Sequence, residues 1–157
     1  MILDDGIIIT AEKPNTPEVQ RLLAERDAYF DRLYAGEDRQ SGVVDVERDD
    51  LAFFSVRASS ELIGCGALLR HDGYGELKRF YISDTHRGRG LGRRLLKAVE
   101  DHARGEGYRI LRLETGILQP AAIALYRSAE FTDIGCFGDY VPDPLSIFLE
   151  KKLSDAI

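Results

Sequence analysis

Arg87-Gly88-Arg89-Gly90-Leu91-Gly92 is the stretch of this 157-residue chain best suited to chemistry. It stands between an apolar, strand-like run at residues 77–82 and an amphipathic helical pattern. A glycine-rich turn in that setting predicts a cradle of free main-chain N–H groups at a helix N-terminus. There the orphan donors and the positive end of the helix dipole point the same way, and both favour a phosphate. Glycine also lets the backbone come closer to an anion than a Cβ would allow. Arg87, Arg89, Arg93, Arg94 and Lys97 add positive charge with no acid among them. The segment reads as a phosphate site inside a protein of net charge -6.

The loop needs a strand before it and a helix after it, and the flanking patterns supply both. Residues 7–10 are a short β-prone run. Thr16-Pro17-Glu18 predicts an N-cap, a first-turn proline and an acid suited to the dipole. A helix follows to about Tyr34, with Val19, Leu22, Leu23, Tyr29, Phe30 and Leu33 at roughly helical spacing. Residues 35–50 are polar and acidic and predict a loop near a second substrate. Residues 51–57 and 61–70 predict strands, and Asp72-Gly73 marks a hairpin turn into a third strand at 76–82. After the loop, Leu91, Leu95, Leu96, Val99 and Ala103 define the buried face of a helix that Gly105 and Gly107 end. A strand at 109–114, a helix from Pro120 to about Ala129, and closing strands at 134–137 and 146–152 complete the order. The pattern is β-α-β-β-β-α-β-α-β-β, an α+β domain over residues 1–157 with a mixed central sheet flanked by helices.

Composition sets outer limits. Apolar residues are 44% and charged residues 31%, as in a globular protein able to bury a core. No apolar run approaches the roughly 18 residues a membrane span needs, so no membrane partner is expected. Met1-Ile2-Leu3-Asp4-Asp5 lacks the basic start of a secretion signal. Cys65 and Cys136 have neither metal nor redox spacing and read as free thiols of a reducing cytoplasm. His71, His86 and His102 form no metal-ligand pattern, so no metal is expected. The acidic balance argues against a nucleic-acid partner.

The loop resembles the acyl-CoA-binding signature of the GCN5-related N-acetyltransferase (GNAT) family, Arg/Gln-x-x-Gly-x-Gly/Ala, with Arg87, Gly90 and Gly92 in its fixed positions. Residues 76–82 are similar to the family's fourth strand, and Ala121 to Tyr126 followed by Phe131 to its fourth helix. The likeness runs over roughly residues 60–153. Two positions depart from it: Gln119 stands where the family often has Asn, and Glu130 where it favours Gly. Glutamate carries a steric cost in a left-handed helix cap.

The resemblance implies the GNAT acyl-CoA N-acyltransferase fold and an N-acetyltransferase that moves an acetyl group from acetyl-CoA to a primary amine in a ternary complex. The acceptor is expected to be a small molecule such as an amino acid derivative or polyamine, with a protein amine as the alternative. The diphosphate would lie on the amides of Gly88, Arg89, Gly90, Leu91, Gly92 and Arg93, with the Arg87 and Arg94 side chains assisting. The pantetheine arm would pair with the strand at Phe80, Tyr81 and Ile82, and Gln119 would add a coenzyme contact. Tyr126 matches the family's helix tyrosine, which protonates the departing thiolate; the other reading is a core tyrosine on the helix–sheet seam. Glu76 stands at the position of the glutamate base of the histone-modifying branch. Strand alternation would put Glu76, Lys78, Phe80 and Ile82 on one face. The other reading of Glu76 is a strand-end carboxylate paired with Lys78 or Arg112. Asp139, Tyr140 and Asp143 could attract a cationic amine. Family members often dimerise through the C-terminal strands, which makes a homodimer possible here.

Other readings fit the residues less well. Gly88-x-Gly90-x-Gly92 with Glu114 on the next strand suggests a dinucleotide fold. Yet position 93 is Arg, and five residues separate strand from first glycine. A P-loop needs Gly-Lys-Ser/Thr, which is missing. A non-catalytic acyl-CoA sensor or protein-interaction module would share the binding motifs.

Overall fold

The computed structural model describes residues 5–37 and 45–154. The expected N-terminal start at residues 1–4, and positions 38–44 of the acidic loop, lie outside the described residues. The elements follow the expected order. They are β1 (Ile7–Ala11), α1 (Pro17–Leu33), β2 (Leu51–Ala58), β3 (Glu61–His71), β4 (Tyr74–Ile82), α2 (Leu91–Gly105), β5 (Ile110–Gly116), α3 (Pro120–Ser128), β6 (Thr132–Asp133) and β7 (Ser146–Lys152). They build a seven-stranded mixed sheet in the order β1-β2-β3-β4-β5-β7-β6. Every neighbouring pair is antiparallel except β4 and β5, which run parallel.

Local chemistry explains the element ends. The Thr16 hydroxyl accepts from the Val19 N–H at 3.2 Å and caps α1, with Pro17 in its first turn. Gly73 makes the β3–β4 turn at φ 88°. Glu130 ends the α3 region at φ 75°, the strained conformation its place in the sequence predicts.

Strand alternation sends side chains to two cores, one on each face of the sheet. Leu68, Leu77, Leu111, Leu113 and Leu149 pack with the α2 face of Leu91, Leu95, Leu96, Val99 and Ala103, and with Tyr126 of α3. Phe53, Cys65, Ala67 and Leu69 point the other way, against Val19, Leu22 and Phe30 of α1.

The alternation breaks near the start of β3, where Val56 pairs with Gly64 but Arg57 with Leu62, and again in β4, where the break reaches the site. Tyr81 pairs with Cys65 and Lys78 with Ala67, so three steps along β4 face two along β3. The extra residue is a bulge, with Arg79 at φ 61°. The bulge corrects the expected one-face arrangement. Glu76 and Lys78 lie across from Leu69 and Ala67 on the α1 face, whereas Phe80 and Ile82 pack with the α2 core. A second correction concerns the closing hairpin. The strand paired with β7 is Thr132–Asp133 and not residues 134–137; beyond it only the Ile134 N–H continues the ladder, to Phe148 O at 3.0 Å. Pairing there gives way to the packing of Phe137 against Tyr74, Tyr140 and Phe148.

Cys65 is buried under α1, and burial pushes its thiol up to about 12, while Cys136 is exposed. The thiolate is the reactive form. The native protein should therefore consume one equivalent of a thiol-alkylating reagent at pH 8, mapped to Cys136 by mass spectrometry. Cys65 should react only after unfolding; prompt labelling of Cys65 would contradict the α1 packing.

Candidate active site

The loop after β4 is held from beneath by α1. Glu25 accepts from the Tyr81 hydroxyl at 2.7 Å and the Ser83 hydroxyl at 2.8 Å. The Arg87 guanidinium lies 4.3 Å from the Tyr29 ring centre and 5.3 Å from that of Tyr81. Its Nε donates to Ile82 O at 2.8 Å, and it pairs with Asp84 at 2.8 Å. Arg87 thus braces the loop, and Arg94 is paired with Asp5 at 2.7 Å. Both side chains, expected from the sequence to assist the diphosphate, are engaged by carboxylates of the chain itself. Arg93 donates to Ser128 Oγ at 2.8 Å and Lys97 pairs with Asp101 at 2.9 Å. Arg89 is exposed and makes no such contact among the described residues.

The main chain remains open where the side chains do not. Gly90 is the N-cap of α2 at φ 74°, and no side chain caps the helix. The first helical hydrogen bond is Arg94 N–H to Gly90 O at 3.2 Å. Among the described residues, the amides of 88–93 have no acceptor. Gly92 serves packing: a Cβ there would come within 3.2 Å of Leu125.

These amides border a cleft of about 430 Å³. Phe80, Tyr81 and Ile82 of β4 form one wall, and Gln119, Leu125 and Tyr126 another. Arg87, Gly88, Gly90, Leu91 and Gly92 close the end at the α2 N-terminus, beside His86. Of the residues named from sequence as coenzyme contacts, Arg89, Arg93 and Arg94 lie outside the lining. The Tyr34 hydroxyl accepts from Leu118 N–H at 3.2 Å and from Gln119 Nε2 at 3.4 Å, tying the end of α1 to the start of α3. A Cβ on Gly116 would overlap that hydroxyl.

At the far end the sheet itself opens. β4 and β5 pair only at Gly75–Leu111 and Glu76–Arg112, then diverge. A small recess of about 60 Å³ fills the gap. Tyr126 lines both the cleft and the recess. It is 7% exposed and set edge-on to Phe80 and Phe131, with centroids 6.4 and 5.8 Å away. Burial pushes its phenol well above the usual tyrosine range, and the positive charge of Arg26 offsets part of that rise.

Glu76 lines neither space. It is 3% exposed and sits in a closed cluster. Oε1 is 2.8 Å from His71 Nε2, and Oε2 accepts from the Tyr140 hydroxyl at 2.7 Å and Lys78 Nζ at 3.3 Å. Burial first, then the Glu76 charge, raises the Tyr140 phenol. The carboxylate that does line the recess is Glu114 of β5, which accepts from the Ser146 hydroxyl at 2.8 Å. Asp143 accepts from Leu145 N–H at 2.8 Å in a turn, and Asp139 is exposed.

Residues 14–131 match the family described as acetyltransferase (GNAT). The chain belongs to the GNAT family of N-acetyltransferases. It is 43% identical over 153 residues to an "IAA acetyltransferase" of Azospirillum brasilense, covering 94% of this chain and 99% of that one. A crystal structure from Klebsiella pneumoniae subsp. pneumoniae, described as an acyl-CoA N-acyltransferase, superposes with a TM-score of 0.82 at 38% identity, over 96% and 100% of the two chains. A GNAT acetyltransferase of Elizabethkingia anophelis with acetyl-CoA bound shares the fold, with a TM-score of 0.67 at 23% identity over 96% and 100%.

In this GNAT chain, sequence reasoning missed four contributors to the site: Arg26, Arg79, Glu114 as a recess carboxylate, and the Tyr34–Gly116 contact. None has a motif. Each acquires its place from the bulge, the strand divergence or a contact distant in sequence.

A backbone grip and a side-chain grip predict different mutants. Valine at position 90 must hold φ near 74°, which a β-branched residue resists. Gly90→Val should weaken coenzyme A binding at least about 30-fold by calorimetry. Arg89→Ala, which removes one exposed charge, should cost about 3-fold or less. The reverse ranking would contradict a main-chain site.

Proposed function

We propose that this N-acetyltransferase uses acetyl-CoA to acetylate the amine of a small molecule by direct attack in a ternary complex. The observation that carries the reading is the continuity of the site. Unpaired amides stand at one end of the cleft, and Tyr126 stands at the other, where β4 and β5 part. The diphosphate would take the amides of 88–93. The pantetheine would lie along Phe80–Ile82 and bring the thioester to the strand gap. The "IAA acetyltransferase" relative and the acetyl-CoA-bound fold neighbour support a small-molecule acceptor and this cosubstrate. Cys65, buried, and Cys136, exposed, accord with a reducing cytoplasm as its compartment.

The amine nitrogen attacks the thioester carbonyl, a tetrahedral centre forms, and the C–S bond breaks. The nitrogen must lose a proton and the sulfur must gain one. Tyr126 is the proposed donor to sulfur. Its raised pKa keeps the phenol protonated throughout the pH range in which amines become neutral. For the amine proton we favour Glu114 over Glu76, because Glu114 lines the recess beside Tyr126, whereas Glu76 is enclosed by His71, Lys78 and Tyr140. Glu76 then acts as an anchor for Lys78 and Tyr140.

Three substitutions separate these roles. Tyr126→Phe should lower kcat about 10²-fold, equally at pH 7 and pH 9, with coenzyme affinity kept. A loss confined to high pH would mean that Tyr126 titrates there. Glu114→Gln should lower kcat at pH 7 about 10²-fold and less at pH 9, where more amine is already neutral. Glu76→Gln should destabilise by about 3 kcal/mol in urea unfolding, because it strips a buried cluster of its charge. Its surviving folded fraction should keep kcat within about 3-fold.

A further inference from the structure

The two side chains that the β4 bulge turns toward α2, Phe80 and Ile82, lie across glycines of β3. Gly64 and Gly66 are both buried and share a face with Leu68 of the α2 core. Neither has a positive φ, so no backbone conformation calls for glycine at either position. Glycine inside a strand weakens it and marks a close approach. A Cβ on Gly66 would lie 2.7 Å from Phe80 Cε1 and 2.8 Å from Phe80 Cδ1. A Cβ on Gly64 would lie 2.6 Å from Ile82 Cδ1 and 2.9 Å from Tyr81 O. Carbon atoms in good contact stand about 3.5–4.0 Å apart, so a larger residue displaces what it meets. At Gly64 it meets backbone; at Gly66 its three nearest atoms all belong to the Phe80 ring.

The ring that Gly66 seats stands where the cleft meets the strand gap. Phe80 lines both the cleft and the recess, and Tyr126 does the same from α3. Their ring centres are 6.4 Å apart, edge to face. In the acetyl-transfer reading the thioester reaches this junction, so its acyl group must fit beside the two rings. The recess beyond them suits an alkyl chain poorly. It holds about 60 Å³, and Arg26, Lys78, Arg79 and Glu114 are among its lining. Alkyl carbon packed there would strip water from charged groups and offer no hydrogen bond in return.

Resting on that reading, we propose that the Phe80 side chain limits the transferred acyl group to acetyl over longer chains, and that Gly66 is its positioning residue. With no side chain at position 66, the ring lies back across β3 and leaves room for a methyl group beside Tyr126. A longer chain meets the ring on one side and the charged recess on the other. An alanine at position 66 would drive the ring off β3 toward Tyr126 and close the space that the acetyl group needs.

The test measures the affinity of the protein for coenzyme A, acetyl-CoA and butyryl-CoA by calorimetry, with no amine present. The native protein should bind acetyl-CoA about 10-fold or more tighter than butyryl-CoA. Phe80→Leu, with its smaller side chain, should bring the two within about 3-fold of each other. Gly66→Ala should weaken acetyl-CoA about 10-fold and keep free coenzyme A within about 3-fold, since the amides of 88–93 are untouched. Gly66→Ala combined with Phe80→Leu should recover acetyl-CoA affinity to within about 3-fold of Phe80→Leu alone. A merely structural loss would not be reversed by a second substitution that removes buried surface. Additive losses in the double variant would overturn the role of Gly66. If Gly66→Ala does not fold, Phe80→Leu decides alone. Equal native affinity for the two thioesters, or a preference that Phe80→Leu leaves unchanged, would overturn the proposal and leave acetyl transfer standing. No binding of coenzyme A or either thioester would instead remove the acetyl-transfer reading, and this inference with it.

Discussion

Buried main-chain N–H and C=O groups must find partners, and β4 runs short of them. On one side it is paired with β3 along most of its length; on the other, its parallel pairing with β5 ends after Glu76 and Arg112. A sheet that opens in its own middle gives up ladder hydrogen bonds and packing. It gains a slot with main-chain donors and acceptors along one wall, which suits an extended, amide-bearing ligand arm in the role of a missing strand. The cleft, the recess and the placement of Tyr126 across both follow from that divergence.

The opening has to be held at a fixed width, and the molecule does so from two directions. At the closed end, Glu76 gathers His71, Lys78 and Tyr140 behind the last β4–β5 pair. At the open end, α1 acts as a clamp. Glu25 takes the Tyr81 and Ser83 hydroxyls, Tyr29 stacks beneath Arg87, and Tyr34 reaches Leu118 and Gln119 at the start of α3. Side chains that look like phosphate ligands in the sequence are thereby part of the frame. Among the described residues, the amides at the α2 N-terminus stay without intrachain acceptors, and in the proposed function they are the groups that would receive the anion.

Local signals were readable in advance, and distant ones were not. The α2 face, the Thr16 cap, the Gly73 turn and the strained Glu130 all depend on residues within a few positions of one another, so propensity and periodicity disclose them. The bulge at Arg79 depends on register with β3, and a single extra residue reversed the faces assigned to Phe80 and Ile82. Short β6 was misplaced because its two residues are defined by pairing to β7 and carry no alternation of their own. The partners that occupy Arg87 and Arg94 come from Asp84, Tyr29 and Asp5, and the last two lie far away in sequence. The loop motif survived because its glycines encode backbone geometry directly.

The central claim is that main-chain amides at the start of α2, continuous with the open edge of β4, grip the coenzyme. The direct measurement is a titration of the ¹⁵N-labelled protein with coenzyme A, followed by amide chemical shifts. The largest shifts should fall on residues 88–93, with Phe80 and Ile82 moving in step. Shifts gathered instead around the groove between Glu12 and Phe53, with residues 88–93 unmoved at saturation, would contradict the account.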